Sequence, residues 1–369
     1  MDQLQKTKRQ RIYSWDYIRV LAMMSIILFH WNAYIPEKEI DGGYLFVPSG
    51  MPVANLAVMG VSLFFILSGA SLMLTTQDHF SLKKYYKKRA LAIFPIYYLI
   101  YASTFICYYV VRGVVRGAPL SSLFLTLIGM DGYLFKWIPC LYLIGEWFVG
   151  CIILIYLIYP VLRWCVLRHP VITAIAAAAV FIPLSFVFPQ ELDVSRFFVM
   201  RIPDVLIGMY FCRFLYPGGK NAGAFRGKIS SLVFIIVCGA VFVWSMFRPW
   251  EGSNFWGNLI TGTSCFLFLS ALFGTFVRRT PHLNRFMGWL SGKSFAIFLL
   301  HHVLIDEFLK RYAGIHLSLR HNVALFVLYL VCLVAISVCM TYLCDCIVKG
   351  IGRLFSRKRT GEGKRCADH

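Results

Sequence analysis

Apolar residues run along this chain in blocks of roughly twenty, separated by short polar stretches dense in lysine and arginine. A helix rises about 1.5 Å per residue, so about 20 mainly apolar residues cross a hydrocarbon layer of roughly 30 Å. Ten windows of that kind can be placed: Trp15 to Ile35, Ala54 to Leu74, Ala90 to Val110, Ile144 to Leu167, Ile172 to Phe188, Phe197 to Leu215, Ile229 to Phe247, Leu259 to Val277, Met287 to Phe308 and Val323 to Val348. The pattern predicts an all-α integral membrane protein, a bundle of about ten transmembrane helices. A multi-span domain over residues 15–348 is expected between basic tails at 1–14 and 349–369.

Composition agrees with the pattern. Of 369 residues, 59% are hydrophobic and only 15% charged, a balance foreign to ordinary soluble domains. The formal net charge of +20 raises nucleic acid as a partner, yet the basic residues form no single patch interleaved with aromatics. They sit instead in alternate loops: Lys6 to Arg11 before the first window, Lys83 to Arg89 after the second, Arg163 and Arg168 after the fourth, Arg213 to Lys228 after the sixth, Arg278 to Lys293 after the eighth, and Lys349 to Arg365 in the tail. The opposite loops are poorer in them, and the first contains Glu37, Glu39 and Asp41. By the positive-inside rule both termini are expected in the cytoplasm, with an even number of spans and membrane lipids, not nucleic acid, as the partner of the basic loops. The first window lacks a small-residue cleavage site and is expected to be retained. The twelve cysteines show no metal-ligand spacing and read as buried free thiols, so no metal is expected.

Ionisable residues inside a span are costly and, where they persist, tend to face a protein interior or a wet cavity. The first window, SWDYIRVLAMMSIILFHWNAY, keeps three. Asp16 and Arg19 are three apart and share a helix face, so they can pair. Arg19 and His30 are eleven apart, about three full turns, and also share a face, about 16 Å apart along the axis. Met23 and Ile26 lie on the stripe between them. An extended ligand laid along this face would place an anionic end at the arginine and a reactive end at the histidine, whose imidazole titrates near neutrality and suits proton transfer. The bland alternative is a snorkelling arginine and a structural histidine bonded to a carbonyl.

The D-x-x-R spacing followed by ten residues and a histidine resembles the acyltransferase 3 family of membrane-bound O-acyltransferases. Asp16, Arg19 and His30 carry this first motif, and GVSLFFILSG, with Phe64, Phe65, Ser68 and Gly69, is similar to the family's FF-x-x-SG helix. The family's R-x-x-R-I-Y-P stretch is partly kept as RALAIFP: Arg89 and Pro95 match, while Ala92 stands in place of the second arginine, with Lys87 and Lys88 nearby. GEWFVGCIILIYLIYP, with Glu146, Trp147, Tyr156 and Pro160, and SGKSFAIFLLHHVLI, with Ser294, Phe298, Leu300 and His301, resemble the family's later helices. The likeness runs in order from about residue 13 to 345.

The resemblance implies transfer of an acyl group, commonly acetyl, from cytoplasmic acyl-coenzyme A to a hydroxyl of an envelope glycan or lipid-linked saccharide, in a bacterial plasma (inner) membrane. It implies a catalytic set of His30, Asp16 and Glu146, a donor-binding set of Arg19, Arg89, Lys88 and Ser68, and a substrate side of Arg201, His301 and Trp147. Simpler readings stand beside several of these. Glu146 at a helix start can be a cap favoured by the macrodipole. Arg201 can snorkel outward, orient the acceptor or pair with Glu146. Ser68 can bond a carbonyl of its own helix. His302 points about 100° away from His301, so one of the two at most faces a given cavity. A transporter or exporter of a lipid-linked glycan or small anionic solute is the rival from another class, since a polar stripe through a bundle also suits a translocation path.

Overall fold

The computed structural model describes residues 11–111, 113, 119–141, 144, 147–189, 193–216, 228–250, 254–277 and 280–365. Twelve α-helices follow one another: α1 (Tyr13–Glu37), α2 (Ala54–Thr76), α3 (Leu82–Phe105), the short α4 (Leu123–Leu127), α5 (Trp147–Arg168), α6 (Pro170–Val187), α7 (Ile202–Tyr210), α8 (Lys228–Phe247), α9 (Phe255–Phe276), α10 (Pro281–Ser291), α11 (Ser294–Leu309) and α12 (Leu319–Arg365). No strand occurs among the described residues, where the extended backbone amounts to one isolated bridge between Asp41 and His316.

Among the described residues, seven helical segments are long and apolar enough to cross a membrane, and an eighth results if α10 and α11, bent by 61° at Gly292 and Lys293, count as one broken span. This is a multi-pass membrane protein. The remaining two expected windows are helical but shorter or interrupted. Residues 197–215 divide into a 3₁₀ turn, α7 and a π turn, because Pro203 fixes a helix start and the polar Arg201 and Asp204 occupy the middle of the apolar run. In α8 the apolar stretch is Ser231–Phe247. α6 is buried over only 6% of its span and exposes Ile175, Phe186 and Val187, a surface suited to lipid rather than to water.

The chain divides into two compact units. The first comprises Met1–Ala33, Tyr44–Leu82 and Cys151–Ser294. Here α2 packs closely on α7 and α9, and α8 packs on α9. Glycine makes the α2–α7 crossing possible: a Cβ at Gly69 would fall on the Val205 carbonyl, and one at Gly208 on the Ile66 carbonyl. Without a hydrophobic driving force inside a bilayer, such close backbone approach through small residues supplies the dispersion contacts that hold helices together. α9 begins at Asn254, whose side chain accepts from the amides of Trp256 and Gly257 at 2.9 and 3.1 Å and caps the first turn.

The second unit comprises Tyr34–Gly43, Lys83–Gly150 and Phe295–His369. Its centre is aromatic, with Tyr97, Tyr101, Phe148, Phe298 and Tyr329 buried. The Phe148 and Phe298 rings pack at a tilt with centroids 4.9 Å apart. A fully buried carboxylate, Asp131, accepts from Tyr101 and Thr126, both at 3.2 Å. The loop after α1 is tied to the segment entering α12 by Leu317 N donating to Asp41 O at 2.8 Å, and to the first turn of α12 by Asn322 Nδ2 donating to Gly43 O at 3.1 Å.

Candidate functional site

α1 carries the first motif, and in the first unit its amino-terminal turn is held against α10. Asp16 lies almost fully buried between two guanidinium groups: Arg11 donates to it from Nε at 2.6 Å and from Nη2 at 3.1 Å, and Arg19 Nη1 approaches at 3.4 Å. Both arginines also reach α10. Arg11 Nη2 donates to Gly288 O at 2.6 Å, and Arg19 Nη1 donates to Ser291 Oγ at 2.8 Å. One turn on, Tyr17 donates to Asn284 Oδ1 at 3.0 Å. The hydrogen bond to Asp16 raises the Arg11 pKa beyond its already high value, so the cluster carries two permanent cations on one carboxylate. Its net charge is positive, and the Arg19 side chain remains 27% exposed. A partly exposed, pre-oriented guanidinium is suited to contact with phosphate.

His30 stands eleven residues further along α1 and is half-buried, its ring meeting Phe29 edge-on at 4.7 Å. Between the two, Met23 and Ile26 are each 2% exposed, so in this structure their stripe is packed rather than open. α2 comes in at this level: a Cβ on Gly60 would fall within contact distance of Ser25, Ala22 and Ile26. Ser68 spends its hydroxyl on Phe64 O at 2.8 Å, within its own helix. Hydroxyl groups in helices commonly do this, and the bond accounts for the residue without a ligand.

Arg201 neither snorkels nor reaches solvent. It is fully buried, pairs with Asp204 at 3.0 Å, donates to Ser62 Oγ at 3.0 Å and to Ser195 O at 2.8 Å, and lies over the Phe65 ring at 5.5 Å. Ser62 in turn donates to Asn258 O on α9 at 3.2 Å. Asp204 was not among the residues that the sequence singled out. Its signal was the Arg-x-x-Asp spacing in RIPD, which places the pair on one face of a helix start. Arg11 was read only as part of the basic tail, although it donates twice to Asp16. Glu146 lies outside the described residues.

In the second unit, Arg89 is half-buried on α3, with Lys87 and Lys88 exposed beside it. Ala92 is exposed one turn later. Trp147, at the start of α5, meets Phe148 edge-on at 5.9 Å. His301 is buried, with Nδ1 hydrogen-bonded to Phe298 O, and its own carbonyl accepts from Tyr329 at 3.3 Å. His302 does not diverge from it as the helical spacing suggested: the two imidazole rings lie with centroids 4.2 Å apart, and His302 Nδ1 is 3.5 Å from Tyr34 Oη.

A family model described as an acyltransferase domain, of the acyltransferase 3 type, matches residues 12–342. The chain belongs to the acyltransferase 3 family. It is an acyltransferase. No curated protein and no solved structure matches the chain. The matched region of this acyltransferase contains the arginine-clasped Asp16, the Arg19-to-His30 face of α1, the α2–α7 crossing and the His301 turn.

Proposed function

We propose that this acyltransferase moves an acyl group, acetyl first among the candidates, from cytoplasmic acyl-coenzyme A to a hydroxyl of an envelope glycan or lipid-linked saccharide. The observation that carries the reading is the arrangement on α1: a partly exposed arginine fixed by a carboxylate and by Ser291, and a half-buried histidine about three turns further along the same face. Those positions are about 16 Å apart along the axis, a separation suited to an extended donor with an anionic nucleotide at one end and a thioester at the other. Arg19 contacts phosphate. His30 accepts the proton of the acceptor hydroxyl as its oxygen attacks the thioester carbonyl; the carbon–sulfur bond breaks, and the thiolate leaves with a proton.

Asp16 stands fourteen residues from His30, about 21 Å along the axis, so it belongs to the arginine end and orients Arg19 rather than touching the reacting atoms. Arg89 and Lys88 enter through the motif alone. Both termini are placed in the cytoplasm with an even number of spans, ten in the fullest count, from the alternation of basic loops. The host membrane is the plasma membrane of a bacterium.

His30→Ala tests the reading. In proteoliposomes supplied with acetyl-coenzyme A and lipid-linked saccharide, the variant is expected to lose transfer by about a hundred- to ten-thousandfold, the usual contribution of positioned acid–base catalysis, while donor binding is nearly retained. Full transfer by a folded variant would overturn the role of His30. Saccharide movement without thioester consumption would favour an exporter. A trapped acyl-protein would make the histidine a covalent carrier.

A further inference from the structure

Beside α6 the first unit carries a groove of about 460 Å³, open at its side and lined by apolar groups of α5, α6 and α7, including Ile172, Ala176, Phe181 and Leu206. Two features distinguish it from an ordinary gap between helices. The first is the sequence of α6, whose TAIAAAAVF run keeps side chains small where the groove passes, so the cleft is built into the helix. The second is its mouth. His169 and Trp164 line that end, with rings 5.7 Å apart, and Arg168 is exposed beside His169. One fixed cation, Arg168, therefore stands next in sequence to the mouth, which is flanked by an amphipathic ring of the kind that settles at a membrane interface.

From His169 to Phe181 the groove follows twelve residues of α6, about 18 Å. That matches one leaflet of a hydrocarbon core of roughly 30 Å. We propose that this groove is a binding site for one anionic glycerophospholipid, with an acyl chain lying along the alanine face of α6 and its phosphate held at Arg168 and His169. An apolar slot one leaflet deep, open sideways and ending in positive charge, is complementary in length, polarity and sign to such a lipid. Tyr210, which donates to Pro170 O at 2.5 Å, ties α7 to the start of α6 and keeps the mouth in register with the slot.

The full chain, purified in mild detergent and titrated with phosphatidylglycerol or phosphatidylcholine, is measured by native mass spectrometry. Retention of one phosphatidylglycerol is expected at concentrations where phosphatidylcholine is not held. Arg168→Gln, an exposed change outside the packed interior, is expected to lower that retention about fivefold, the effect of one cation near an anionic headgroup. Ala176→Phe fills the slot and is expected to abolish retention. Equal retention of both lipids, undiminished retention in both variants, or a second copy of the chain occupying the face in place of lipid would each overturn the proposal.

Discussion

Two arginine–carboxylate pairs at i,i+3 spacing lie in the same unit and do opposite things. Arg201 and Asp204 meet at 3.0 Å with side chains 0% and 3% exposed, enclosed by Ser62, the Ser195 carbonyl and Phe65. Asp16 and Arg19 meet at 3.4 Å, and there the arginine side chain stays 27% exposed while Arg11 takes up the carboxylate. The difference is in what the guanidinium has left to offer. Arg201 is fully enclosed by protein and acts as a pin between α7, α2 and α9. Arg19 is fixed at one nitrogen by Ser291 and Asp16 and still presents a face. Charge spacing alone therefore does not separate an enclosed pair from one whose guanidinium keeps an open face; residual exposure does.

The largest effect expected from breaking this comparison is at the enclosed pair. Removing one partner of a buried pair leaves an uncompensated charge and typically destabilises by about 3–5 kcal/mol. Arg201→Ala and Asp204→Ala should each lower the unfolding midpoint in detergent by far more than any change at Arg19. Arg201 Nη2 and Asp204 Oδ1 have no hydrogen-bond partner, so the pair is incompletely satisfied. The double change Arg201→Met with Asp204→Leu should accordingly recover much of the loss. A single variant as stable as the unmodified protein would show that the pin is not one.

At the open pair the loss should appear in binding. A charge-assisted hydrogen bond contributes about 1.5–3 kcal/mol, so Arg19→Ala should weaken acetyl-coenzyme A binding roughly ten- to a hundredfold while the unfolding midpoint moves little. Isothermal titration of the purified protein reads this directly, and unchanged donor affinity would remove Arg19 from the site. A smaller effect is expected one contact away. Ser291→Ala deletes a tether on the guanidinium at 2.8 Å but leaves the Arg19 charge in place, and should loosen donor binding by less than Arg19→Ala does. Equal losses for the two would mean that tethering, not the charge, holds the donor.

How much of this was legible follows from distance along the chain. The apolar windows that became α1, α2, α5, α6 and α9 were readable because twenty apolar residues in a row leave few other structures, and the α1 face was readable because a single helix fixes the relation of Asp16, Arg19 and His30. What connects α1 to its surroundings was not. Ser291 and Gly288 lie more than 270 positions away from the arginines they hold, and no local pattern announces them. Residues 197–215 read as one span because hydropathy averages over a window and hides the polar pair that breaks it. Arg201 was noticed for the same reason, as a charge in an apolar run, yet its partner three residues on was overlooked in favour of the distant Glu146. Ser68 could be read either way from sequence, and its bond to Phe64 is the local one.

The finest test of the comparison is Arg11, whose side chain is 52% exposed and which shares Asp16 with Arg19 while also donating to Gly288 O on α10. With Arg11→Gln the carboxylate loses its closer cation, and Arg19, now its sole charged partner, is drawn toward it and away from a ligand. Exposed ion pairs contribute about 0.2–1 kcal/mol, so donor affinity should fall by no more than about fivefold and the unfolding midpoint should hardly move. The contribution is also screenable: the Debye length shrinks from about 10 Å at 0.1 M salt to about 3 Å at 1 M. Unmodified protein and variant should therefore converge in donor affinity as salt is raised, whereas the Arg201 pair, shut away from ions, should lend the same stability at both concentrations. A salt-independent gap between Arg11→Gln and the unmodified protein would mean that Arg11 acts through its bond to the Gly288 carbonyl, as a clamp on α10, rather than through its charge on Asp16.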